Sequence, residues 1–353
     1  MKHSILNIWL RIFGAFLFLL LLRDVYSQSG NPLVKTEVSI MFYNVENLFD
    51  LEDDELTRDE EYLPSGIKNW NEHKLVKKLR SVYKVIVAAG KWEPPALIAL
   101  AEIENLEVLR ELLNQTPLKD MDYGCVHFDS PDERGIDLAL LYRKNIFQII
   151  HEQAIGINFP FDPANKTRDI LYVAGMLEND TVHIFVNHWP SRYGGAMATE
   201  PHRLHVSQVL CRHIDSLTTI DPDAKIIICG DFNDEFRNES LQTLLTCNAN
   251  KISPLKPGVT KKVPGTLKFQ QKWYIFDMFM VSEALLDTSS ALFAEPWYRI
   301  VAEDFMLLED SKGYGYQPYR TYNGPHYIGG FSDHLPVQLI LRRTKEYDRY
   351  KGE

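Results

Sequence analysis

The stretch IIICGDFND, residues 226–234, ends an apolar run with a glycine and then acidic and amide side chains. Four consecutive apolar residues are typical of a buried strand, and Asp231 and Asn233 follow it directly. A second stretch, GGFSDHLPV at residues 329–337, places Asp333 and His334 just before the last apolar run of the chain. Both stretches predict strands whose ends carry chemically active side chains.

The same pattern recurs earlier in the chain. MFYNVENLFD ends a strand in Asn44 and Glu46, LIALAEIEN ends one in Glu102, and IFVNHWPSR ends one in His188. A single carboxylate at a strand end is more often a turn former or helix cap, and a lone histidine is more often structural. Asp277 in YIFDMFMVS differs, because its apolar neighbours predict burial and a buried carboxylate needs a partner.

Composition limits the classes of function. The 353 residues are 45% hydrophobic and 24% charged, which is ordinary for a globular protein. The formal net charge is −10, so the chain as a whole is not attracted to nucleic acid or anionic lipid. A phosphate-bearing substrate would therefore be attracted locally, by a metal ion or a few basic side chains.

The N-terminus predicts export. Basic residues precede an apolar run at residues 12–22, and Val25-Tyr26-Ser27 then supplies small residues at a spacing suited to cleavage. This order is typical of a secretory signal peptide covering residues 1–27, so we expect a secreted or periplasmic protein that begins near Gln28. The run is short for a transmembrane helix, so we expect no stable membrane association after cleavage. An uncleaved anchor is the alternative, since Arg23 and Asp24 lie close to the end of the run.

The four cysteines, Cys125, Cys211, Cys229 and Cys247, include no CxxC pair and so predict no zinc site. Their spacing leaves a disulfide and free buried thiols both open. Cys229 lies in an apolar strand and is expected to be buried.

The remaining chain is predicted to form one domain, residues 33–343. Strand-like runs alternate with helical segments, and no linker-like stretch divides them. This favours an α+β or mixed α/β fold with two β layers. Residues 71–88 form one of the helices, with apolar positions at helical spacing and a basic opposite face.

The polar residues indicate a metal site. Carboxylates and amides without thiolates are hard oxygen ligands that suit Mg²⁺, Mn²⁺ or Ca²⁺ better than structural zinc. Two histidines beside such an ion suit acid–base work on a phosphoryl group, because the metal neutralises developing charge while the imidazoles move protons.

Seven stretches together resemble the endonuclease/exonuclease/phosphatase superfamily, which has the DNase I-like fold: FYNVENLFD, ALAEIEN, RGIDLALLYR, VNHWPSR, CGDFND, FDMFMVS and FSDHLP. They follow the family's order and cover nearly the whole mature chain, and GDFN and SDHLP are the most specific. The flanking sequences are similar to an exported, nuclease-like bacterial branch. The resemblance implies a four-layer sandwich, with two packed, mostly antiparallel sheets flanked by helices.

The resemblance also implies a metal centre. Glu102 would be the principal ligand, with Asn44 beside it, and Asp333 would complete the cluster. Asp231 and Asn233 would hold a second metal position or orient the nucleophilic water and the phosphate. We expect Mg²⁺ or Mn²⁺, with Ca²⁺ also open.

Three further residues take catalytic roles by the same resemblance. His334 would be the acid–base histidine, Asp277 its orienting carboxylate, and His188 a hydrogen-bond donor to the scissile phosphate. The family often has a glutamine before the metal glutamate, and here Ala101 stands in its place. That departure leaves the charge of the glutamate unchanged.

Five arginines are candidates for binding phosphate, with a surface or structural ion pair as the competing interpretation. They are Arg134, Arg143, Arg168, Arg192 and Arg320.

The expected function is a secreted, divalent-metal-dependent phosphodiesterase, most simply a monomeric endonuclease that hydrolyses DNA or RNA. The fold alone does not choose the substrate. A phosphatase or a phosphoinositide or sphingomyelin phosphodiesterase is the alternative, and a non-catalytic binding protein is less favoured because both Glu102 and His334 are present. Tyrosines in the segment 314–327 either stack on bases or pack the loop.

Overall fold

The computed structural model describes residues 37–91, 93–177, 179–247, 251–310 and 313–343, so the expected signal peptide at 1–27 lies outside the described residues. In chain order the strands are β1 Glu37–Leu48, β2 Leu97–Ile103, β3 Tyr123–His127, β4 Asp137–Arg143, β5 Phe147–Ile155, β6 Ile170–Leu177, β7 Asp180–His188, β8 Lys225–Asp231, β9 Ile252–Pro254, β10 Lys256–Gly258, β11 Leu267–Phe269, β12 Lys272–Tyr274, β13 Asp277–Ser282, β14 Leu292–Ile300, β15 Leu307–Glu309, β16 Tyr316–Pro318, β17 Tyr322–Asn323, β18 His326–Tyr327 and β19 Val337–Arg343.

The helices are α1 Glu72–Gly90, α2 Leu106–Gln115, α3 Ala196–Ile220, α4 Glu239–Thr246 and α5 Glu283–Leu286. Short 3₁₀ turns cover Glu60–Tyr62, Pro117–Asp120 and Asp304–Met306. Within the part of the chain that the structure describes, no helix is both long and apolar enough to cross a membrane.

Two large sheets form the centre of the molecule. One has seven strands in the order β10-β14-β19-β1-β2-β4-β3, and the other has six in the order β5-β6-β7-β8-β13-β9. Most neighbours are antiparallel, but β1 and β2, β7 and β8, and β10 and β14 are parallel pairs. Strands β1, β2 and β4 contact β7, β8 and β13 of the other sheet. With helices flanking the sheets, this is the expected sandwich.

The central strands are apolar because both of their faces are covered. Six of the seven residues of β8 and all six of β13 are buried. Helix α1 matches the predicted helix at 71–88. Asn71 caps its N-terminus, because the Asn71 side chain accepts a hydrogen bond from the backbone N–H of Lys74 at 3.2 Å. Its apolar stripe packs inward through residues that include Leu79 and Val82.

Strand register carries the polar residues of the sequence motifs to one place. In the parallel pair β7 and β8, His188 lies opposite Asp231. In the antiparallel pair β8 and β13, Asp277 lies opposite the same Asp231. In the other sheet, Asn44 of β1 lies opposite Ala101 of β2, one residue before Glu102.

A disulfide joins Cys211 of α3 to Cys247, just after α4, with a Cα–Cα distance of 6.1 Å. The sequence had left this pairing open. Cys229 is buried in β8 as expected, and Cys125 is a partly buried free thiol. The bond links two helices that also pack against each other.

Candidate active site

Asn44 links the two sheets at the centre of the site. Its Nδ2 donates to Oε1 of Glu102 and to Oδ2 of Asp231, both at 3.1 Å. Its Oδ1 accepts the backbone N–H of Glu46 at 3.0 Å, which fixes the orientation of the amide. The buried Asn44 therefore contacts one carboxylate from each sheet.

Backbone irregularities aim the Glu102 carboxylate into this cluster. Glu46 and Asn47 both have φ of 57°, Glu102 has φ of 66°, and the β1–β2 register shifts between Asn44 and Leu48. The left-handed conformation costs a non-glycine residue about 1–2 kcal/mol. Hydrogen bonds offset part of this cost, since the backbone N–H of Asn47 donates to Oε2 of Glu102 at 2.9 Å. Such strain is typical of functional sites.

His188 contributes a buried imidazole whose surroundings favour the neutral form. Its Nε2 lies 3.7 Å from Oδ2 of Asp231 and 3.9 Å from Oε1 of Glu102. Burial lowers the pKa of His188 well below its usual range, and the positive charges of Arg168 and Arg134 lower it further. The buried Nδ1 has no hydrogen-bond partner among the described residues. The His188 ring therefore directs Nε2 at the carboxylates, and its Nδ1 has unused hydrogen-bonding capacity.

The pKa of His334 shifts in the opposite direction, although the residue is about as buried as His188. Its Nδ1 lies 3.0 and 2.8 Å from the two carboxylate oxygens of Asp277, and its Nε2 lies 3.6 Å from Oδ2 of Asp231. Burial alone would lower the pKa of His334, but the charges of Asp277 and Asp231 outweigh it and raise the pKa well above its usual range. The surroundings thus favour the neutral form of His188 and the protonated form of His334, which have complementary hydrogen-bonding roles.

The donors of the cluster fit a hard divalent cation. The pKa of Asp231 is raised to about 7, chiefly by burial; His334 opposes the rise, and the negative charges of Asp277 and Glu102 add to it. A cation here would offset that negative charge. Glu102 and Asp231 would hold the ion, with Asn44 between them. Oxygen atoms of Asp231 and Asp277 also lie within 4.8 Å of a ring nitrogen of His334.

Asp333 lies in a second charged group beside the cluster. Its Oδ2 accepts from Nη2 of Arg320 at 2.7 Å, and Nε of Arg320 lies 3.4 Å from Oε1 of Glu46. The pKa of Glu46 is raised to about 7, chiefly by burial and then by the nearby Asp333, while Lys78 and Arg320 oppose the rise. Asp333 and Arg320 are thus close to the predicted centre but paired with each other.

Lys78 is a member of this group that sequence reasoning missed. Helix α1 was predicted to have its basic residues on the exposed face, and for Lys78 this was wrong. Its side chain is buried, and Nζ donates to Oγ1 of Thr321 at 2.6 Å and to the backbone oxygen of Phe331 at 2.8 Å. The available signal was its position three residues after Leu75, which places it on the apolar stripe.

Asn233 closes the other side of the site. It has φ of 50°, its backbone N–H donates to Oδ1 of Asp231 at 3.0 Å, and its Nδ2 donates to the backbone oxygen of Trp189 at 3.1 Å. The next residue, Asp234, is fully buried between Arg192 and Arg203, at 2.6 and 2.7 Å. Neither Arg203 nor the role of Asp234 was predicted, because the three residues come from separate segments.

Two of the candidate phosphate-binding arginines, Arg168 and Arg134, lie near His188. Arg168 is buried near His188, donating to Asp132 at 2.8 Å and to the backbone oxygen of Trp189 at 2.9 Å. Arg134 is half-exposed and lies 3.6 Å from the same Asp132. Both are close enough to lower the pKa of His188.

Arg192 and Arg143 have other surroundings. Arg192 binds the backbone oxygen of Asn233 at 2.7 Å as well as Asp234, so it fixes the loop that follows β8. Arg143 pairs with Glu93 at 2.8 Å at the far end of β4, where Tyr142 lies opposite Leu97. The structure therefore does not bring Arg143 to the cluster, and Arg192 has the structural ion pair that was the competing interpretation.

The arrangement of fold and cluster agrees with a family comparison. A sequence profile described as "Endonuclease/Exonuclease/phosphatase family" matches residues 39–343. The chain belongs to this family. Members of the family are metal-dependent hydrolases of phosphoester bonds, and this chain is an enzyme of that class.

Solved structures of the family share the fold. The human Nocturnin catalytic domain with bound sulfate anion is 15% identical, with a TM-score of 0.55 over 88% of this chain and 96% of that one. D. rerio TDP2 complexed with single strand DNA product is 14% identical, with a TM-score of 0.54 over 87% and 100% of the two chains. An endonuclease/exonuclease/phosphatase family protein from Bacteroides thetaiotaomicron is 13% identical, with a TM-score of 0.54 over 88% and 99%. A search of the curated proteins found no match.

Proposed function

We propose that the protein is an exported, divalent-metal-dependent phosphodiesterase that cleaves DNA or RNA within the chain. One observation carries the proposal. His334, held by Asp277, faces Asp231, while Asn44 joins Asp231 to Glu102. This places an oriented acid–base group beside a buried pair of carboxylates that fits a divalent ion.

Each residue then has a role at the phosphate. Mg²⁺ or Mn²⁺ held by Glu102 and Asp231 would neutralise the phosphate charge. His188 is neutral and buried, so it can donate a hydrogen bond to a phosphate oxygen without adding a charge. Asp231 and Asn233 orient the attacking water. His334 exchanges a proton at Nε2, and Asp277 keeps its Nδ1 protonated.

A nucleic acid substrate is supported by the surroundings of the cluster. Positive side chains that can meet a polyanion include Arg320 and Arg134, which are 42% and 49% exposed at their side chains. Lys74 and Lys77 lie over the ring of Tyr327, with Nζ at 4.8 and 5.5 Å from its centroid. Basic and aromatic side chains are the groups with which proteins bind single-stranded nucleic acid.

Export is supported by the disulfide between Cys211 and Cys247. Such bonds form and persist in oxidising compartments. N-terminal sequencing of the periplasmic or extracellular fraction is expected to return a chain that begins near Gln28. Recovery of a chain that starts at Met1 would contradict cleavage.

The test of the substrate class is a panel assayed with and without a chelator: plasmid DNA, a structured RNA, sphingomyelin, an inositol phosphate and a phosphomonoester. We expect divalent-dependent loss of supercoiled plasmid or of RNA. Hydrolysis of the lipid or of the monoester alone would replace the proposal by one of the alternative activities. Asp231→Asn removes a cluster carboxylate, and Asp223→Asn is a matched control in the exposed turn before β8.

A further inference from the structure

A cavity of about 400 Å³ lies beside the active site. The hairpin of β11 and β12 forms one wall, and the segment around β16 and β17 forms the other. Its lining includes Phe269, Gln270, Gln271, Gln317, Asn323 and Arg320. None of these residues except Arg320 was assigned a role by the site described above.

Two connections tie this cavity to the catalytic residues. Arg320 lines it and also donates to Asp333 at 2.7 Å. Leu267, the first residue of the hairpin, forms an antiparallel bridge with His334. The backbone N–H of Leu335 also donates to the oxygen of Thr266 at 2.8 Å. A ligand in the cavity would thus be next to a phosphate at the active site.

The hairpin tip is built from unusual residues. Gln270 and Gln271 have φ of 46° and 68° and form its two-residue turn. Turns of this kind with two left-handed residues favour asparagine and glycine, so glutamine is poorly suited to both positions. Phe269, just before the turn, is 59% exposed. The tip therefore presents an aromatic ring and two amides, although other residues would suit the turn better.

The polar lining has free hydrogen-bonding capacity. The side-chain amides of Gln270, Gln271, Gln317 and Asn323 make no hydrogen bond within the described parts of the chain, and each offers two donor hydrogens and an acceptor oxygen. By contrast, Lys268 is almost fully buried and holds the wall in place. Its Nζ contacts Asp310 and the backbone oxygens of Tyr314 and Tyr316 at 2.8–3.3 Å.

We propose that this cavity is a nucleobase subsite, occupied by the base of a nucleotide adjacent to the scissile phosphate. The base stacks on Phe269, its edge hydrogen-bonds to the amides, and Arg320 contacts the neighbouring phosphate. An aromatic face beside amide donors and acceptors matches a base rather than an acyl chain or an inositol ring. This inference rests on the proposed nuclease function and specifies how that substrate is bound.

The test uses oligonucleotides with one abasic residue moved stepwise along the strand. For the wild type, kcat/KM should fall by about 10-fold when the abasic residue occupies the subsite, since stacking of one base on an aromatic ring accounts for a change of that order. In Phe269→Ala the ratio of kcat/KM for intact and abasic substrate should fall well below the wild-type ratio, because stacking is lost, and Phe269→Tyr should restore it. Trp297→Ala, which alters an aromatic side chain that is 44% exposed on β14, should keep the wild-type ratio.

Two other outcomes overturn the inference in distinguishable ways. If the wild type cleaves intact oligonucleotides but no abasic position lowers kcat/KM, or Phe269→Ala keeps the wild-type ratio, the cavity binds no base. If the wild type cleaves no oligonucleotide, the nuclease function fails and the subsite fails with it. Thermal unfolding of each variant identifies a change caused by misfolding, and Phe269→Tyr then provides the deciding comparison.

Discussion

Oδ2 of Asp277 lies 2.8 Å from Nδ1 of His334, and the two residues are positioned by strands of different sheets of the sandwich. Asp277 begins β13, whereas His334 precedes β19, which pairs with β1 in the other sheet. The pair can form only when the two sheets are packed together. Because the carboxylate occupies Nδ1, the opposite nitrogen is directed at Asp231, 3.6 Å away.

This pairing predicts non-additive kinetics. Removing His334 or Asp277 should lower kcat by about 10²-fold or more, the range for a positioned acid–base group. Because the residues act as a unit, His334→Ala combined with Asp277→Asn should lower kcat little more than His334→Ala alone. The measurement is a double-mutant cycle on kcat with a soluble phosphodiester. Fully multiplicative losses would show that Asp277 serves the fold or the metal instead.

The affinity for the divalent ion should rise with pH. The pKa of Asp231 is raised to about 7 without a metal, so protons compete with the ion below that pH. The dissociation constant for Mn²⁺ should therefore fall between pH 6 and pH 8, as calorimetry can measure. In Asp231→Asn this dependence should weaken. An affinity for the wild type that is constant over the same interval would contradict the assignment of Asp231 as a ligand.

The free energy of unfolding should fall as pH rises, because of the buried carboxyl of Asp137. This residue is 3% exposed, and burial raises the pKa of its carboxyl to about 7. The folded state therefore holds a proton that the unfolded chain has lost above about pH 4. Its contribution to the free energy of unfolding is complete below pH 4 and is lost as pH rises to 7.

The variant Asp137→Asn isolates this effect. Relative to the variant, the wild type should lose about 2–4 kcal/mol of unfolding free energy between pH 4 and pH 8. Urea unfolding in the presence of a chelator measures the difference. Ser130 donates its backbone N–H to Oδ1 of Asp137 at 3.1 Å, and the asparagine oxygen can accept the same bond. If the unfolding free energies of the wild type and Asp137→Asn changed with pH in the same way, Asp137 would not titrate near pH 7.

The disulfide should stabilise the fold substantially. Cys211 and Cys247 are 36 residues apart, so the bond should contribute about 3–4 kcal/mol by restricting the unfolded chain. Replacing both by serine should lower the free energy of unfolding by that amount, whereas Cys125→Ser is the control. Four titratable thiols in the unfolded, unreduced protein would contradict the bond.

Local patterns predicted the residues that meet in the candidate site but not the side chains that hold them. Asp231, His188 and Glu102 were evident because polar residues end apolar strands, and their convergence followed from the resemblance to a known family. The burial of Asp234 by Arg192 and Arg203 was not evident, since it depends on contacts between a loop, a helix and a strand end. Arg143 was misplaced for a related reason. A strand has two ends, and the sequence does not show which end faces the site.

The central claim is that the carboxylates joined by Asn44 form a divalent-metal hydrolytic centre. The most direct test is the rate of oligonucleotide hydrolysis as a function of Mg²⁺ concentration, for the wild type, Glu102→Gln and the control Asp223→Asn. We predict saturable Mg²⁺ dependence for the wild type and the control, and a loss of about 10²-fold or more for Glu102→Gln. Undiminished hydrolysis by Glu102→Gln, or by the wild type after exhaustive chelation, would contradict the claim.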